Sequence, residues 1–310
     1  MNHQARFPLF TLCGALLLWT PACSGGGTGD DVTEEATPST GEGTPTDTDS
    51  GSGSGGTDSS SGTTQPFSFF VTSLKALQEL SGSPNGFGGN LSFGETGAGA
   101  GLRGADKICA TIAEKSLPGA GKKPWRAFLS VASGVDGKPV NAIDRIGEGP
   151  WYDRLGRLLA PTRADLLHDR PTNGNAAIKN DYPNEEGVPN HRPDPNQPSV
   201  DNHDMLTGST TTGTLYSASA TCKDWTAATG NKTTEGKPRV GHSWPRSTGS
   251  GGGGGGGGSG DSMNNWMSSL TESGCAPGVN LVETGGPSES SNTVGSGGGY
   301  GGFYCFSLTP

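Results

Sequence analysis

Apolar residues occur in short runs separated by long polar and glycine-rich stretches. Residues 67–73 combine aromatic and β-branched side chains, which is typical of a strand. In residues 102–114 apolar side chains recur every three or four positions, so we expect a helix with Cys109 on its buried face. The last apolar run, residues 301–308, predicts a C-terminal strand.

Between these elements the pattern predicts only small pieces of regular structure. Residues 165–204 are poor in apolar side chains and rich in Asn, Asp and Pro, so we expect a long loop. Loops of that length are usually functional or disordered. The shorter predicted elements are a strand at 125–131, one helical turn at 142–146, a hairpin at 151–159 that turns at Gly156, and short strands at 215–218 and 222–226.

The first 23 residues have the pattern of an export signal. Arg6 supplies a positive charge, and the apolar stretch 7–19 is too short to cross a hydrocarbon core of ~30 Å as a helix. Residues 20–23, Thr-Pro-Ala-Cys, resemble a bacterial lipobox, in which Cys23 would carry a diacylglycerol. The alternatives are an ordinary secretory peptide and a buried N-terminal helix. Ser24 favours the outer membrane, so we expect a cell-surface protein that touches the membrane only through its lipid.

Residues 24–65 predict a tether between this anchor and a folded domain, residues 66–310. The segment consists mainly of Gly, Ser, Thr, Asp and Glu, and such a composition stays disordered because it has little apolar surface to bury. It carries eight acidic residues and no Lys or Arg. Without these acids and Arg6, the net charge changes from −9 for the whole chain to −2 for residues 66–310. A nearly neutral domain argues against nucleic acid as a partner.

The composition excludes several classes of protein. The chain has 55 Gly and 22 Pro among 310 residues, and only 30% of its residues are hydrophobic. This excludes a polytopic membrane protein, a coiled coil, and a tightly packed α/β enzyme of the full length.

Four cysteines lie in residues 66–310, and an even number in an exported chain predicts two disulfides with three possible pairings. A C-terminal strand that returns beside the N-terminal elements would pair Cys109 with Cys305. Cys222 would then pair with Cys275. Periodicity alone does not choose among the three pairings.

Several motifs occur in the order found in bacterial C-type lectin-like, endostatin-like domains. They include Gly-Ala-Asp-Lys-Ile-Cys at 104–109, Trp-Arg-Ala-Phe-Leu-Ser at 125–130, Cys-Lys-Asp-Trp-Thr at 222–226, Arg-Val-Gly-His-Ser at 239–243 and Phe-Tyr-Cys-Phe at 303–306. Over residues 66–310 the chain resembles this family. The resemblance implies an α+β, C-type lectin-like fold, in which helices flank a small twisted antiparallel sheet with long loops and two nested disulfides.

The same resemblance raises the question of calcium. In C-type lectins the calcium ligands typically lie in Glu-Pro-Asn or Gln-Pro-Asp and in Trp-Asn-Asp, whereas this chain has Gln-Pro-Ser at 197–199. Asp194, Asp201 and Asp204 nearby are the candidate oxygen ligands for one Ca²⁺. An ordinary solvated loop is the alternative, because Asp also populates turns. We expect no other cofactor.

The sequence does not favour two other chemistries, a zinc site and a serine nucleophile. A zinc site would have to use His168, His191, His203 and His242, which lack the i, i+4 spacing of a zincin. Residues 241–245, Gly-His-Ser-Trp-Pro, look at first like a nucleophile elbow, but Pro245 replaces the second glycine. The family resemblance makes this segment a loop before a strand.

The sequence therefore predicts a surface-anchored, non-enzymatic lipoprotein whose domain binds a glycan or an extracellular or envelope protein. Residues 165–214 and 245–300 would supply the binding loops. The alternatives are a structural envelope or matrix protein without a discrete ligand, and a secreted hydrolase that uses His242 and Ser243. Five tryptophans are expected in the core rather than on a sugar-stacking surface: Trp125, Trp151, Trp225, Trp244 and Trp266.

Overall fold

The computed structural model of the chain describes residues 66–245, 264–282 and 285–310. The expectations for the export signal, Cys23 and the tether concern residues outside these ranges. These described residues belong to one compact unit. Among the described residues, no helix has the length and apolar character needed to cross a membrane.

The described residues form a mixed α/β structure with one main sheet and few helices. The strands are β1 (Phe69–Val71), β2 (Trp125–Ala127), β3 (Trp151–Tyr152), β4 (Leu158–Ala160), β5 (Asp204–Leu206), β6 (Arg239–His242), β7 (Leu270–Thr271) and β8 (Gly299–Ser307). The helices are α1 (Leu74–Ser81), α2 (Ala100–Ser116), α3 (Arg163–Leu166), α4 (Cys222–Trp225) and α5 (Lys232–Glu235). Short 3₁₀ turns occur at Ala120–Lys122, Ala142–Arg145 and Ala218–Ala220.

Strand β8 is the centre of the main sheet. Its C-terminal half pairs antiparallel with β1 on one side and with β2 on the other. Its N-terminal half pairs with β5, and the sheet continues through β6 to β7. The β5–β8 pairing is parallel, so the sheet is mixed. The expectation of a wholly antiparallel sheet was wrong. A parallel pair needs a long connection, which residues 207–298 supply here.

The core is built from aromatic side chains on and around this sheet. Four of the five tryptophans expected in the core are at most 2% exposed: Trp125, Trp151, Trp225 and Trp266. Trp266 lies edge-on to Tyr304 of β8, with 5.3 Å between ring centroids. The fifth, Trp244, is only partly buried and stacks on His191 at 4.6 Å.

Helix α2 contains the predicted helix 102–114 and packs against two loops at very short range. A Cβ atom at Gly104 would lie 2.1 Å from the Leu91 carbonyl oxygen, and one at Gly101 would lie 2.1 Å from the Asp224 carbonyl oxygen. Both positions therefore require glycine. The loops can reach the helix only because it has no side chain there.

Two disulfides fasten the elements together. Cys109 of α2 is bonded to Cys305 of β8, across a sequence separation of 196 residues. Cys222 is bonded to Cys275, across 53 residues. These are the two nested pairs expected from the order of the elements.

The two ends of the described domain lie side by side. The Ser307 amide donates to the Ser68 carbonyl at 2.8 Å. The Lys123 ammonium group donates to the carbonyl oxygens of Phe67 at 2.9 Å and Pro310 at 2.7 Å. The chain therefore enters and leaves the domain at one place.

Some local expectations were wrong. Residues 215–218 and 222–226 are not strands; α4 is a single left-handed turn, with φ between 48° and 63° at all four residues. Long-range contacts hold it, because Trp225 Nε1 donates to the Ser130 carbonyl and the Asp224 carboxylate accepts from the Ala132 amide. Residues 241–242 belong to β6 and are not in a loop. Helix α1, with Ser73 as its N-cap and Gly82 in the left-handed region after it, was not predicted.

Candidate functional site

A cleft of about 590 Å³ opens where α1 and the end of α2 face the segment 184–202. This volume is within the ~300–1,000 Å³ that is usual for small-ligand sites. Its walls are largely apolar, with Leu74, Ile112, Val188, Val200 and Leu281 among the lining residues. The cleft includes part of the long loop that the sequence marks as functional.

Glu185 is a carboxylic acid group at the wall of this cleft and is only 5% exposed. Its carboxylate accepts hydrogen bonds from the amide and the hydroxyl of Ser73, the N-cap of α1. Burial raises the pKa of Glu185 above its ordinary value, although the hydrogen bonds from Ser73 oppose this. The cleft thus contains an acidic group that the protein has partly desolvated.

Two buried side-chain amides, Asn190 and Asn202, also line the cleft. Asn202 Nδ2 donates to the Asn190 carbonyl, and Asn190 Nδ2 donates to the Tyr300 hydroxyl. Asn202 Oδ1 is buried and makes no hydrogen bond to any described residue. Tyr300 is close to Asn202, but its hydroxyl donates its proton to the Thr72 carbonyl at 2.6 Å. Asn202, which lines the cleft, therefore carries a buried acceptor atom with no partner among the described residues.

The rim of the cleft carries both signs of charge. Lys115 Nζ lies 3.4 Å from a carboxylate oxygen of Glu79, and Lys75, Glu186 and Asp194 are further lining residues. Because such exposed charges are well solvated, they contribute more to orienting a ligand than to its affinity.

The three candidate calcium ligands are not brought together. Asp194 is in a turn, where it accepts from the amide and side chain of Asn196 and from Gln197, and these bonds lower its pKa. Asp201 accepts from His203 Nδ1 at 2.9 Å. Asp204 is fully buried in the sheet. Asp201 and Asp204 lie on opposite sides of the His203 ring, so the three carboxylates do not converge on one point.

Asp204 instead belongs to a cluster with two histidines. Its Oδ1 lies 3.0 Å from His242 Nε2 and 3.6 Å from His203 Nε2. The two imidazole rings meet edge to face, with 4.5 Å between their centroids. Within the described ranges, His203, Asp204 and His242 are the one group of three or more potential metal ligands whose donor atoms all lie within 4.8 Å of one another. Of the histidines considered for zinc, His168 is exposed and His191 pairs with Asp181 at 2.7 Å.

The sheet builds this cluster. Asp204 of β5 is directly opposite His242 of β6, so their side chains lie on the same face. His203 comes one residue before β5, where the register with β8 shifts, and its carbonyl accepts from the Ser243 amide at 2.8 Å. The 38-residue spacing between Asp204 and His242 carries no local signal. Only the pairing of β5 with β6 would have revealed the cluster.

Glu272 lies behind Asp204 and shares a hydrogen bond with it. Burial raises the pKa of Glu272 well above its ordinary value, and the charge of Asp204 raises it further. For Asp204, burial also acts to raise the pKa, but His203, His242 and the bond from Glu272 outweigh it and lower the pKa to about 2. The surroundings therefore shift the two carboxyl pKa values in opposite directions, favouring the anion at Asp204 and the neutral acid at Glu272.

Ser243, the residue considered as a nucleophile, is buried, and its hydroxyl donates to the His203 carbonyl at 3.3 Å. In a serine hydrolase the nucleophile would be hydrogen-bonded to a general base. The contact described here therefore gives no support to that chemistry.

Comparison of the chain with protein-family models, with curated proteins and with solved structures finds no match.

Proposed function

We propose that this protein is a surface-anchored, non-enzymatic lipoprotein that binds a hydroxyl-rich ligand, a glycan end, in the cleft between α1, α2 and residues 184–202. The single observation that carries the proposal is the set of buried acceptors in an otherwise apolar cleft. Glu185 accepts hydrogen bonds from Ser73, and Asn202 Oδ1 is a buried acceptor that has no hydrogen-bond partner among the described residues. Sugars offer hydroxyl donors on one edge and an apolar C–H face on another, which suits such a wall.

The proposed fold is C-type lectin-like. Three features support this proposal: the first and last described strands pair antiparallel, α1 and α2 follow the first strand, and a disulfide joins α2 to the last strand. Two of the family-like motifs, residues 104–109 and 303–306, fall on α2 and on the last strand. The proposal uses no calcium, because the candidate carboxylates are not assembled into one site.

The test is a binding screen of the full-length protein, purified in detergent, against a panel of bacterial and host glycans, followed by calorimetry of any hit. We expect saturable binding that Glu185→Gln and Asn202→Ala each weaken by about 5-fold, since a buried hydrogen bond is worth roughly 1 kcal/mol. Glu95→Gln serves as the matched control, because Glu95 pairs with Arg103 away from the cleft.

Two results would count against the glycan proposal. Saturable binding to an extracellular protein, but to no glycan, would replace the glycan by a protein ligand and leave the cleft as the proposed binding site. Absence of saturable binding to either class would favour the structural envelope protein.

A further inference from the structure

The potential ligand atoms of His203, Asp204 and His242 lie within 4.8 Å of one another, close enough to bind a single metal ion. In each histidine the Nε2 atom faces the same oxygen, Asp204 Oδ1, at 3.0 Å for His242 and 3.6 Å for His203. Four ligands at about 2.0–2.1 Å from a zinc ion lie about 3.3 Å apart in a tetrahedron. The two observed distances bracket that value, so small side-chain movements would admit the ion.

The orientation of His203 is set by a group outside the cluster. His203 Nδ1 faces two acceptors, the Asp201 carboxylate at 2.9 Å and the Asp201 carbonyl at 3.2 Å. Nδ1 therefore carries the proton, which assigns the lone pair of the neutral ring to Nε2, on the side of Asp204. A carboxylate that holds the outer nitrogen of a histidine is the usual outer-shell arrangement of a metal-bound imidazole.

Charge balance points the same way. His203 Nε2 and Asp204 Oδ1 lie 3.6 Å apart, and either a proton or a metal ion between two such acceptor atoms removes their repulsion. Asp201 and Asp204 together bring two negative charges to this region, and both histidines and Asp204 have fully buried side chains. One divalent cation would neutralise both carboxylates, and a buried charge needs such compensation.

We propose that His203, Asp204 and His242 bind one divalent first-row transition-metal ion, with Zn²⁺ as the best fit. Two imidazoles and one carboxylate are a donor set that zinc prefers, whereas calcium takes oxygen ligands. The ion would join the start of β5 to the end of β6. Asn202, which lines the cleft, directly precedes His203, so the metal would also fix the chain beside the cleft. This inference does not depend on the nature of the cleft ligand.

The test is a Zn²⁺ titration of the full-length protein after chelator treatment, read by competition with a chromophoric chelator and by the absorption bands of Co²⁺ in the same site. We expect one ion per chain and tetrahedral-type Co²⁺ bands. His203→Gln and His242→Gln should weaken binding by more than about 100-fold. Asp201→Asn should weaken it by about 10–100-fold, as expected for an outer-shell group.

His191→Gln is the matched control, since His191 also pairs with an aspartate but lies outside the cluster. It should leave the affinity unchanged. If the His203 or His242 variants fail to fold, judged by near-ultraviolet circular dichroism of the buried tryptophans, the partly exposed Asp201 still provides the test. The proposal is overturned if the wild-type protein binds no stoichiometric ion, or if binding survives Asp201→Asn and is lost in His191→Gln.

Discussion

His242 and Asp204 face each other across strands β6 and β5, with Nε2 and Oδ1 only 3.0 Å apart and both side chains fully buried. The pair is the point where the sheet, the His203 ring and the buried acid Glu272 meet. Because both side chains are fully buried, water cannot solvate either group when its partner is removed.

Asp204→Asn should therefore destabilise the protein strongly. The substitution removes the anion that both histidines face, and removing one partner of a buried charged contact costs about 3–5 kcal/mol. Urea unfolding at neutral pH, with chelator present to exclude metal effects, gives the value. Asp144→Asn, at an exposed site, should change the free energy of unfolding by less than about 0.5 kcal/mol. Equal effects for the two variants would show that Asp204 is not essential to the sheet.

The stability contributed by Glu185 should depend on pH with a definite sign. Its pKa is raised in the folded protein by burial. The folded state thus holds the proton more tightly than the unfolded state, so the Glu185 contribution is fully present below about pH 4.5. It is lost as the pH rises through the folded pKa.

Unfolding of wild-type protein and of Glu185→Gln, measured from about pH 4.5 to neutral pH, should expose this dependence. The amide cannot ionise, so the variant should gain stability relative to wild type as the pH rises. A constant difference between the two proteins, or a difference of the opposite sign, would contradict a raised pKa.

Gly104→Ala should destabilise α2 although alanine is the better helix former. Alanine would gain about 1 kcal/mol in helix propensity. Its Cβ would lie 2.1 Å from the Leu91 carbonyl oxygen, and relief of such overpacking typically costs about 1–3 kcal/mol. Thermal unfolding should therefore show a lower midpoint for Gly104→Ala, while Lys107→Ala on the exposed side of the helix stays near wild type. A higher midpoint for Gly104→Ala would mean that the loop can move away from α2.

Elements with strong local patterns were predictable from sequence. Helix α2 follows from its apolar spacing, and β8 follows from its aromatic run at the end of the chain. The left-handed turn α4 could not be predicted from its own residues. Its conformation depends on the hydrogen bond from Trp225 to Ser130 and on the disulfide from Cys222 to Cys275, whose partners are remote in sequence. Strand propensity in residues 222–226 was overridden by these contacts.

The candidate sites were predictable only in part. The long polar loop was expected to carry function, and it supplies Glu185 and Asn202 to the cleft. Its partner α1 was missed, because this eight-residue amphipathic helix lies beside a glycine-rich stretch. The histidine cluster could not be predicted from sequence, since the register of β5 against β6 is set by the whole sheet and not by spacing along the chain.

The first and last residues of the described domain are adjacent, because Ser307 bonds to Ser68 and Lys123 bonds to both ends. The linear order of its elements is then one of several that would give the same sheet. A circularly permuted gene, with Pro310 linked to Pro66 through a few glycines and new ends opened at the exposed turn around Gly137, would retain every strand pairing described here. The same arrangement allows the whole domain to be carried as an insert within a surface loop of another protein.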